Sequence, residues 1–292
     1  MYLSGFKNAP YLMVEPDSDL KKINPDFLED KYTVRLFGKH NEDFINEFIK
    51  IFSNTTFLDL GMQYGIKNSF VYKFTKLQGL VFPLFKDVDF VLNCELLPKT
   101  LKQLHIYVYS KKKIINIEAL NTTDLQHLTI SDFDEKDLTK LSSLTNLKTL
   151  SFKTAKIKSL KGIETLTNLK CISLGGVRSL TDITDISTLQ NLKFLEFDIC
   201  WKLQDFSPIS QLKELEVLQL MDCKNVASIK FVKELPKLKQ LYTLGTTIIN
   251  DYDTTPANGV PIFFGSRASK KYNKEHPEKE IQEGQKTWSS YL

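Results

Sequence analysis

Apolar residues recur along this chain at a fixed distance, and the recurrence is clearest between Thr145 and Gly245. Five segments align there as TNLKTLSF, TNLKCISL, QNLKFLEF, KELEVLQL and PKLKQLYT, with the shared skeleton L-x-x-L-x-L. The first leucines are 22, 23, 23 and 23 residues apart, at Leu147, Leu169, Leu192, Leu215 and Leu238. Because side chains of a strand alternate between its two faces, the skeleton predicts one strand per unit, with its apolar residues facing a core.

A less regular form of the skeleton precedes this segment. Its units begin at Thr55, Leu77, Leu101 and Leu125, with spacings of 22, 24, 24 and 22 residues to the next unit. Together the two groups give about nine repeats. A period in this range indicates a repeat architecture, in which each unit buries its apolar face against its neighbours.

The second half of each unit carries a different pattern, in which apolar residues fall at every third position. The series runs through Ile157, Leu160, Ile163, Leu166, Leu180, Ile183, Ile186, Leu189, Leu203, Phe206, Ile209, Leu212, Val226, Ile229, Val232 and Leu235. Three residues per turn is the 3₁₀ period, so we expect short 3₁₀ turns and loops on this side. In the segment 66–77 the apolar residues are four, four and three apart, and there we expect an α-helix.

The chain on either side of the repeats follows other patterns. YTVRLFG (32–38) alternates like a strand, and HNEDFINEFIKIF (40–52) has the period of an amphipathic helix, opened by Asn41 or His40. The predicted apolar stripe of that helix consists of Phe44, Phe48, Ile51 and Phe52. We expect an N-terminal extension with a strand–helix cap (1–54), the repeats (55–249), and a C-terminal cap and tail (250–292).

The skeleton and its period resemble those of the leucine-rich repeat family, whose units run ~20–29 residues. The resemblance implies an α/β fold: a right-handed solenoid, or horseshoe, with a parallel concave β-sheet and a convex side of short 3₁₀ helices and loops. Cys200 and Cys223 lie eight residues after the first leucine of their units. Many leucine-rich repeats have Asn at this position and cysteine-type repeats have Cys. The chain therefore resembles the cysteine type at these two units, mixed with internalin-like features, and the missing Asn departs from the internalin pattern. We interpret Cys94, Cys200 and Cys223 as small core hydrophobes.

Residues between the skeleton positions are expected to face outward and to form ladders across strands ~4.8 Å apart. Two concentrations emerge from these ladders. One consists of His105, Tyr107 and His127, and the other, an aromatic–acidic patch, consists of Phe194, Glu196, Asp198, Trp201, Met221, Asp222 and Tyr242. Rigid aromatic anchors surrounded by charge are typical of protein interfaces, so we interpret these ten residues as partner-binding. The alternative is that they only solvate a structural solenoid.

Charge and hydropathy narrow the classes of partner. The 39 Lys and Arg residues nearly balance 35 Asp and Glu residues, and a net charge of +4 does not indicate nucleic acid. The cluster Arg267, Lys270, Lys271 and Lys274 is expected to be a solvated face. No run approaches the ~18 apolar residues of a membrane span, and the start of the sequence lacks the pattern of a secretory signal. We therefore expect no membrane partner, a cytoplasmic location and reduced thiols.

Catalysis is the less favoured class of function. His105 and His127 could cooperate with Cys171 or Asp132 as a thiol or metal enzyme. However, Cys171 lies two repeats from His127, about 10 Å at the strand spacing, which exceeds the ~3 Å reach of a nucleophile and its base. P-loop, G-x-S-x-G and H-E-x-x-H motifs are absent, and so is a C-x-x-C zinc knuckle. We expect no catalytic residues, no cofactor and no metal.

The expected function is non-catalytic binding of a protein partner on the concave face. A sequence rich in Lys, Ile, Asn, Phe and Tyr indicates an AT-rich bacterial genome. The chain resembles small bacterial repeat proteins without a leader, which include toxin-neutralising immunity proteins, so the resemblance implies a toxin as one candidate partner. The alternative is an intracellular adaptor or regulatory scaffold. The sequence does not indicate an oligomeric state.

Overall fold

The computed structural model describes residues 10–23, 32–64, 67–84, 90–108, 114–265, 272–273 and 286–291. The chain forms two compact units, unit 1 (1–132) and unit 2 (133–292). Each unit contains a parallel sheet with apolar side chains packed beneath it. The basic cluster Arg267, Lys270, Lys271 and Lys274 lies outside the described residues.

The described strands of unit 1 run parallel in the order β1-β2-β3-β4-β6-β8, beside a separate pair, β5 and β7. Their bounds are β1 Tyr11–Val14, β2 Thr33–Lys39, β3 Phe57–Tyr64, β4 Gly79–Leu84, β5 Leu92–Asn93, β6 Gln103–Val108, β7 Ile114–Ile115 and β8 His127–Ile130. Leu58 pairs with Leu80, Leu80 with Leu104 and Leu104 with Leu128, which is the predicted alignment of the less regular repeats. The N-terminal extension joins the sheet, because β1 pairs with β2.

Helix α1 (Glu42–Phe52) precedes β3 in unit 1. Asn41 is its N-cap, and its side chain accepts a hydrogen bond from the Phe44 N–H at 2.8 Å. The buried stripe consists of Ile45, Phe48 and Phe52. Of the predicted stripe, Phe48 and Phe52 are buried, whereas Phe44 and Ile51 are half-buried. Phe44 stacks on the His40 ring, with 4.5 Å between ring centroids.

The other described helices of unit 1 are 3₁₀ helices. They are Leu20–Lys22, Asn68–Lys73, Cys94–Leu96 and Ile117–Thr122. The α-helix that we expected over 66–77 is therefore wrong, although Phe70, Phe74 and Leu77 are all buried. A unit of this length has too little chain beside its strand for a regular α-helix, and the shorter 3₁₀ turn buries the same apolar residues.

Unit 2 contains the regular repeats, and its described strands run parallel in the order β9-β10-β11-β12-β14-β16, with β13 and β15 as a separate pair. Their bounds are β9 Thr149–Phe152, β10 Cys171–Gly175, β11 Phe194–Asp198, β12 Val217–Met221, β13 Asn225–Val226, β14 Gln240–Leu244, β15 Ile248–Ile249 and β16 Ile262–Gly265. The described 3₁₀ helices are Thr139–Leu141, Ile163–Thr165, Thr184–Thr188, Ser207–Gln211, Lys230–Glu234, Thr255–Ala257 and Trp288–Tyr291. The sheet continues past the last predicted repeat, since Leu241 pairs with Phe263.

Several repeats of the chain share one turn before the 3₁₀ helix. An aspartate two residues before a Thr or Ser accepts its backbone N–H, as in the pairs Asp137–Thr139, Asp182–Thr184, Asp205–Ser207 and Asp253–Thr255. The Thr255 hydroxyl, together with the Asn273 amide and the Thr255 N–H, lowers the pKa of Asp253 to about 2. This Asx turn replaces backbone partners that a 3₁₀ helix cannot supply to its own first residues.

A second recurring hydrogen bond is made near the carboxyl ends of β10, β11 and β12. Cys200 Sγ donates to the Leu174 carbonyl oxygen at 3.4 Å, and Cys223 Sγ donates to that of Phe197 at 3.4 Å. Thr247 does the same one unit later, with its hydroxyl 2.9 Å from the Leu220 carbonyl oxygen. The interpretation of Cys94, Cys200 and Cys223 as core residues is confirmed, because all three are buried free thiols. The last two also satisfy buried backbone carbonyls.

Candidate functional site

The histidine concentration of unit 1 has the predicted arrangement, but it offers less surface than we expected. Gln103 pairs with His127 and His105 with Thr129, so the histidines and Tyr107 lie on the adjacent strands β6 and β8. His105 is only 7% exposed, whereas Tyr107 and His127 are half-buried. Of the three, Tyr107 and His127 therefore offer more of their side chains to a partner.

A charged cluster on the same sheet was missed by the sequence analysis. Arg35 donates from Nε and Nη2 to Asp59 Oδ2 at 2.9 and 2.7 Å, and its guanidinium lies 3.8 Å from the centre of the Tyr11 ring. Asp59 also accepts the Gly61 N–H at 2.8 Å. The sequence contains a signal for this ion pair, because Arg35 and Asp59 occupy paired positions of β2 and β3. It was overlooked because we read β2 as a cap and did not align it with the repeats.

In unit 2 the structure divides the predicted aromatic–acidic patch between the two ends of the strands. At the amino ends, Phe194 is 2% exposed, so the expectation that it is an exposed anchor is wrong. Its side chain faces outward from β11, but the Trp288 ring covers it at 5.7 Å between centroids and a near-perpendicular 79°. Cys171 and Val217, the paired residues of β10 and β12, are buried in the same cluster.

A buried carboxylate lies beside this cluster. Glu216 is 8% exposed, accepts a hydrogen bond from Lys286, and lies 3.0 Å from Lys239 Nζ and 3.8 Å from Lys193 Nζ. Burial raises the pKa of Glu216, but the hydrogen bonds from Lys286 and Lys239 outweigh it and leave the pKa below its ordinary value. The amino ends are thus an apolar cluster beside a carboxylate that attracts cations.

At the carboxyl ends, Trp201 is exposed, as we expected for an anchor, with 37% of its surface accessible. It lies between two cations: the Arg178 guanidinium is 4.5 Å and the Lys224 ammonium 4.2 Å from the ring centre. The three residues occupy equivalent positions of successive units, 23 residues apart. Cation–π contacts on the ring fix its orientation without covering it completely.

The acidic residues of the patch, Glu196, Asp198 and Asp222, lie close to one another on β11 and just after β12. Burial raises the pKa of Asp198, and the charges of Glu196 and Asp222 raise it further, against the opposing effect of Lys153. Glu196 accepts a hydrogen bond from the Ser173 hydroxyl at 2.5 Å. Asp222 accepts the Thr246 N–H at 2.8 Å, so this carboxylate also holds the following repeat.

The two remaining predicted residues are half-buried. Met221, the last residue of β12, pairs with Leu244. Tyr242 stacks on Phe264 of the adjacent strand β16, with 5.5 Å between centroids and planes 2° apart. It also packs against the cluster of Cys171, Phe194 and Val217, so Tyr242 belongs to the covered end.

Cys171, the cysteine considered as a nucleophile, is buried. Burial raises the pKa of the Cys171 thiol to about 12, so this cysteine is a poor nucleophile at neutral pH. Within the described parts of the chain, no group of three or more His, Cys, Asp or Glu side chains could hold a metal ion. No described helix is both long and apolar enough to cross a bilayer.

Comparisons with known proteins agree with this architecture. The family model for the leucine-rich repeat domain of endo-β-N-acetylglucosaminidase EndoS matches residues 146–244, where the skeleton is most regular. An internalin (inlF) of Listeria monocytogenes has a similar structure, with a TM-score of 0.60 and 20% identity over 81% of this chain and 68% of that one. No curated protein sequence matches the chain.

A second similar structure is a leucine-rich repeat protein of Leptospira interrogans, with a TM-score of 0.55 and 22% identity over 81% of this chain. The match spans 62% of the Leptospira protein, which is less than two thirds of its length. Identities this low establish the fold alone. The parallel register of the strands and these similarities show a leucine-rich repeat fold, and residues 146–244 match a leucine-rich repeat domain.

Proposed function

We propose that this chain is a non-catalytic protein-binding module and that the carboxyl ends of β10–β14 in unit 2 form its binding edge. Leucine-rich repeat arrays present extended sheet surfaces that generally serve recognition. The observation that carries the proposal is Trp201, an exposed ring held between Arg178 and Lys224. A ring that is already ordered loses little conformational entropy when a partner covers it, and tryptophan is enriched among residues that dominate binding energy.

The acidic residues Glu196, Asp198 and Asp222 favour a partner with a basic group beside an apolar one. Burial and the nearby charges of Glu196 and Asp222 raise the pKa of Asp198, so a cation placed among the three carboxylates would relieve their mutual repulsion. Such complementarity would increase the association rate at low ionic strength more than the final affinity. In unit 1, Tyr107 and His127 are proposed as partner contacts of that unit by itself.

For the identity of the partner, we propose first a bacterial toxin that the chain neutralises in the cytoplasm. The support is the resemblance to small bacterial repeat proteins, and the two similar structures named above come from bacteria. Co-expression with a candidate toxin tests it: the chain should restore growth, and the Trp201→Ala variant should do so less well. An adaptor would instead hold two partners in one complex, which size-exclusion chromatography with light scattering would detect.

The binding edge itself is tested by measuring affinity for a purified partner by isothermal titration calorimetry. Trp201→Ala should weaken binding at least ~10-fold, as expected for truncating a central aromatic residue. Leu96→Ala is the matched control, since Leu96 is a 54% exposed apolar residue of a 3₁₀ helix in unit 1. Equal affinity for Trp201→Ala and the wild-type chain, at equal melting temperature, would contradict the proposed edge.

A further inference from the structure

The segment Lys286–Tyr291 lies on the outward face of unit 2, across the amino ends of the strands. It contacts residues that start or precede three strands: Phe194 of β11, Glu216 before β12 and Gln240 of β14. The segment thus occupies part of the sheet face on which we expected a partner. Its contacts show which chemical groups this part of the face accepts.

Each of the three contacts recognises a different feature of the segment. The nearly buried carboxylate of Glu216 binds the Lys286 ammonium group. The side-chain amide of Gln240, 3% exposed, donates to the Lys286 carbonyl oxygen at 3.1 Å and accepts the Lys286 N–H at 2.8 Å, in the orientation that satisfies both of its polar atoms. The apolar cluster of Cys171, Phe194 and Val217 binds the Trp288 ring. This face therefore binds a cation and a backbone amide at one residue, and an aromatic ring two residues later.

The arrangement is selective for the order of these groups. Gln240 pairs with peptide backbone, so it accepts any residue at that position, whereas Glu216 selects a cation. Lys193 and Lys239 surround the same carboxylate, and their charges would repel a second basic group placed further along. Phe194 meets the Trp288 ring edge to face, a geometry that adds to simple burial.

The segment holds its own shape. The Thr287 N–H donates to the Ser290 hydroxyl at 3.1 Å, and the Ser290 N–H donates to the Thr287 carbonyl oxygen at 2.9 Å. These bonds form a single 3₁₀ turn that begins at Trp288. Thr287 and Ser290 are exposed, so the turn presents Lys286 and Trp288 toward the sheet and polar residues toward solvent.

We propose that the amino ends of β10–β14 form a recognition site for a protein segment with a Lys or Arg two residues before an aromatic residue, and that Lys286–Tyr291 is the resident occupant that such a segment displaces. The inference rests on the proposed binding function and deepens it, because it assigns a second contact to the same outward face. A partner that carries this motif competes with the chain's own segment. A partner that lacks it uses only the carboxyl ends.

The first test measures binding of a fluorescent peptide, Gln-Lys-Thr-Trp-Ser-Ser-Tyr-Leu, by anisotropy. The Trp288→Ala chain should bind it, and the wild-type chain should bind at least ~100-fold more weakly, because a tethered occupant acts at millimolar effective concentration. A control peptide with Glu in place of Lys and Ala in place of Trp should not bind. Glu216→Gln, added to Trp288→Ala, should weaken binding of the peptide at least ~10-fold, as loss of a buried charged partner does.

A second test leaves the resident segment intact. The chain has two tryptophans, so Trp201→Phe makes Trp288 the sole indole reporter. A peptide with Phe in place of its Trp, added to millimolar concentration, should shift the Trp288 emission to the red as the ring leaves the cluster. If the Trp288 emission wavelength stays constant and the Trp288→Ala chain does not bind the peptide, the segment is a fixed structural cap and the proposal is wrong.

The two proposals fail separately. If the peptide tests fail while Trp201→Ala weakens partner binding, the recognition site is wrong and the binding edge stands. If the peptide binds while Trp201→Ala has no effect on any partner, the binding edge is wrong and the recognition site stands. If Trp288→Ala does not fold, Lys286→Glu replaces it, because that substitution reverses the charge that meets Glu216 and keeps the ring.

Discussion

The two ends of the unit 2 strands differ in what their outward residues do. At the amino ends, Phe194 is buried by another segment of the chain. At the carboxyl ends, Trp201 stands exposed between two cations. The same periodic pattern places both aromatic residues outward, yet another segment of the chain covers one and the other remains exposed. The outward position in a repeat thus predicts the direction of a side chain and not its exposure.

The largest expected effect contrasts these two rings. Phe194→Ala should lower the free energy of unfolding by about 3 kcal/mol, because it leaves a cavity beneath Trp288. Trp201→Ala should lower it by less than ~1 kcal/mol, since its ring is partly exposed. Urea unfolding followed by circular dichroism measures both. Similar losses for the two variants would mean that the ends do not differ in the way described.

A backbone substitution tests the carboxyl ends. Gly245 has φ of +66°, and a Cβ there would overlap the Asp222 carboxylate, which binds the adjacent Thr246 N–H. Gly245→Ala should therefore cost about 2 kcal/mol in thermal unfolding. The control is Gly259→Ala, where an added Cβ meets nothing within 4 Å, so no measurable loss is expected. A neutral Gly245→Ala would show that the turn relaxes freely.

The charged contact at the amino ends gives a smaller, pH-dependent effect. Glu216→Gln should cost about 1 kcal/mol at pH 7, since its carboxylate is nearly buried among lysine side chains that remain partly exposed. Glu214→Gln is the control, because Glu214 pairs with Lys237 on the exposed surface and should cost less than ~0.5 kcal/mol.

The pH dependence follows from the lowered folded-state pKa of Glu216. A depressed carboxyl pKa stabilises the fold above the unfolded-state value of ~4.3, and that contribution disappears as the pH falls through the folded-state pKa. The difference in urea unfolding between Glu216→Gln and the wild-type chain should therefore shrink as the pH is lowered from ~5, and vanish below the folded-state pKa. A difference that persists there would mean that the carboxylate acts through packing and not through charge.

The smallest expected effect concerns the cations around Trp201. A double-mutant cycle of Arg178→Ala and Trp201→Ala should give a coupling of about 0.5 kcal/mol, the size of an exposed cation–π contact. A cycle of Lys202→Ala and Trp201→Ala is the control, because Lys202 lies beside Trp201 in sequence and is exposed. Zero coupling for Arg178 would show that other contacts orient the ring.

Local patterns accounted for most of the fold. The predicted pairing of Ile172 with Leu195 and of Leu195 with Leu218 is confirmed. It was predictable because each of these five-residue strands carries the same skeleton. The cysteine positions were also predictable, since Cys200 and Cys223 occupy one site of successive repeats. The Asx turns had a visible signature, Asp two residues before Thr or Ser, which we did not use. Repeats favour such predictions because their contacts are short in sequence.

The candidate site was harder to predict than the fold, because its contacts join residues that are far apart in the sequence. Phe194 and Trp288 are 94 residues apart in the sequence, and nothing near either residue indicates the other. Lys286 and Glu216 are 70 residues apart, and charged residues are too common for their pairing to stand out. The tail falls outside the repeat period, so the period does not predict where the tail contacts the sheet. Contacts between a periodic array and a non-periodic segment leave no local signal in a single sequence.

The buried thiols can be used to measure local unfolding of the chain. Burial raises the pKa of Cys94 and of Cys171 to about 12, and the thiols of Cys200 and Cys223 are buried as well. A thiol reagent therefore reacts only when the surrounding repeat opens, because the thiolate is the reactive form. Mass spectrometry of labelled peptides would time the opening of unit 1 through Cys94 and of unit 2 through the other three cysteines, without any added probe.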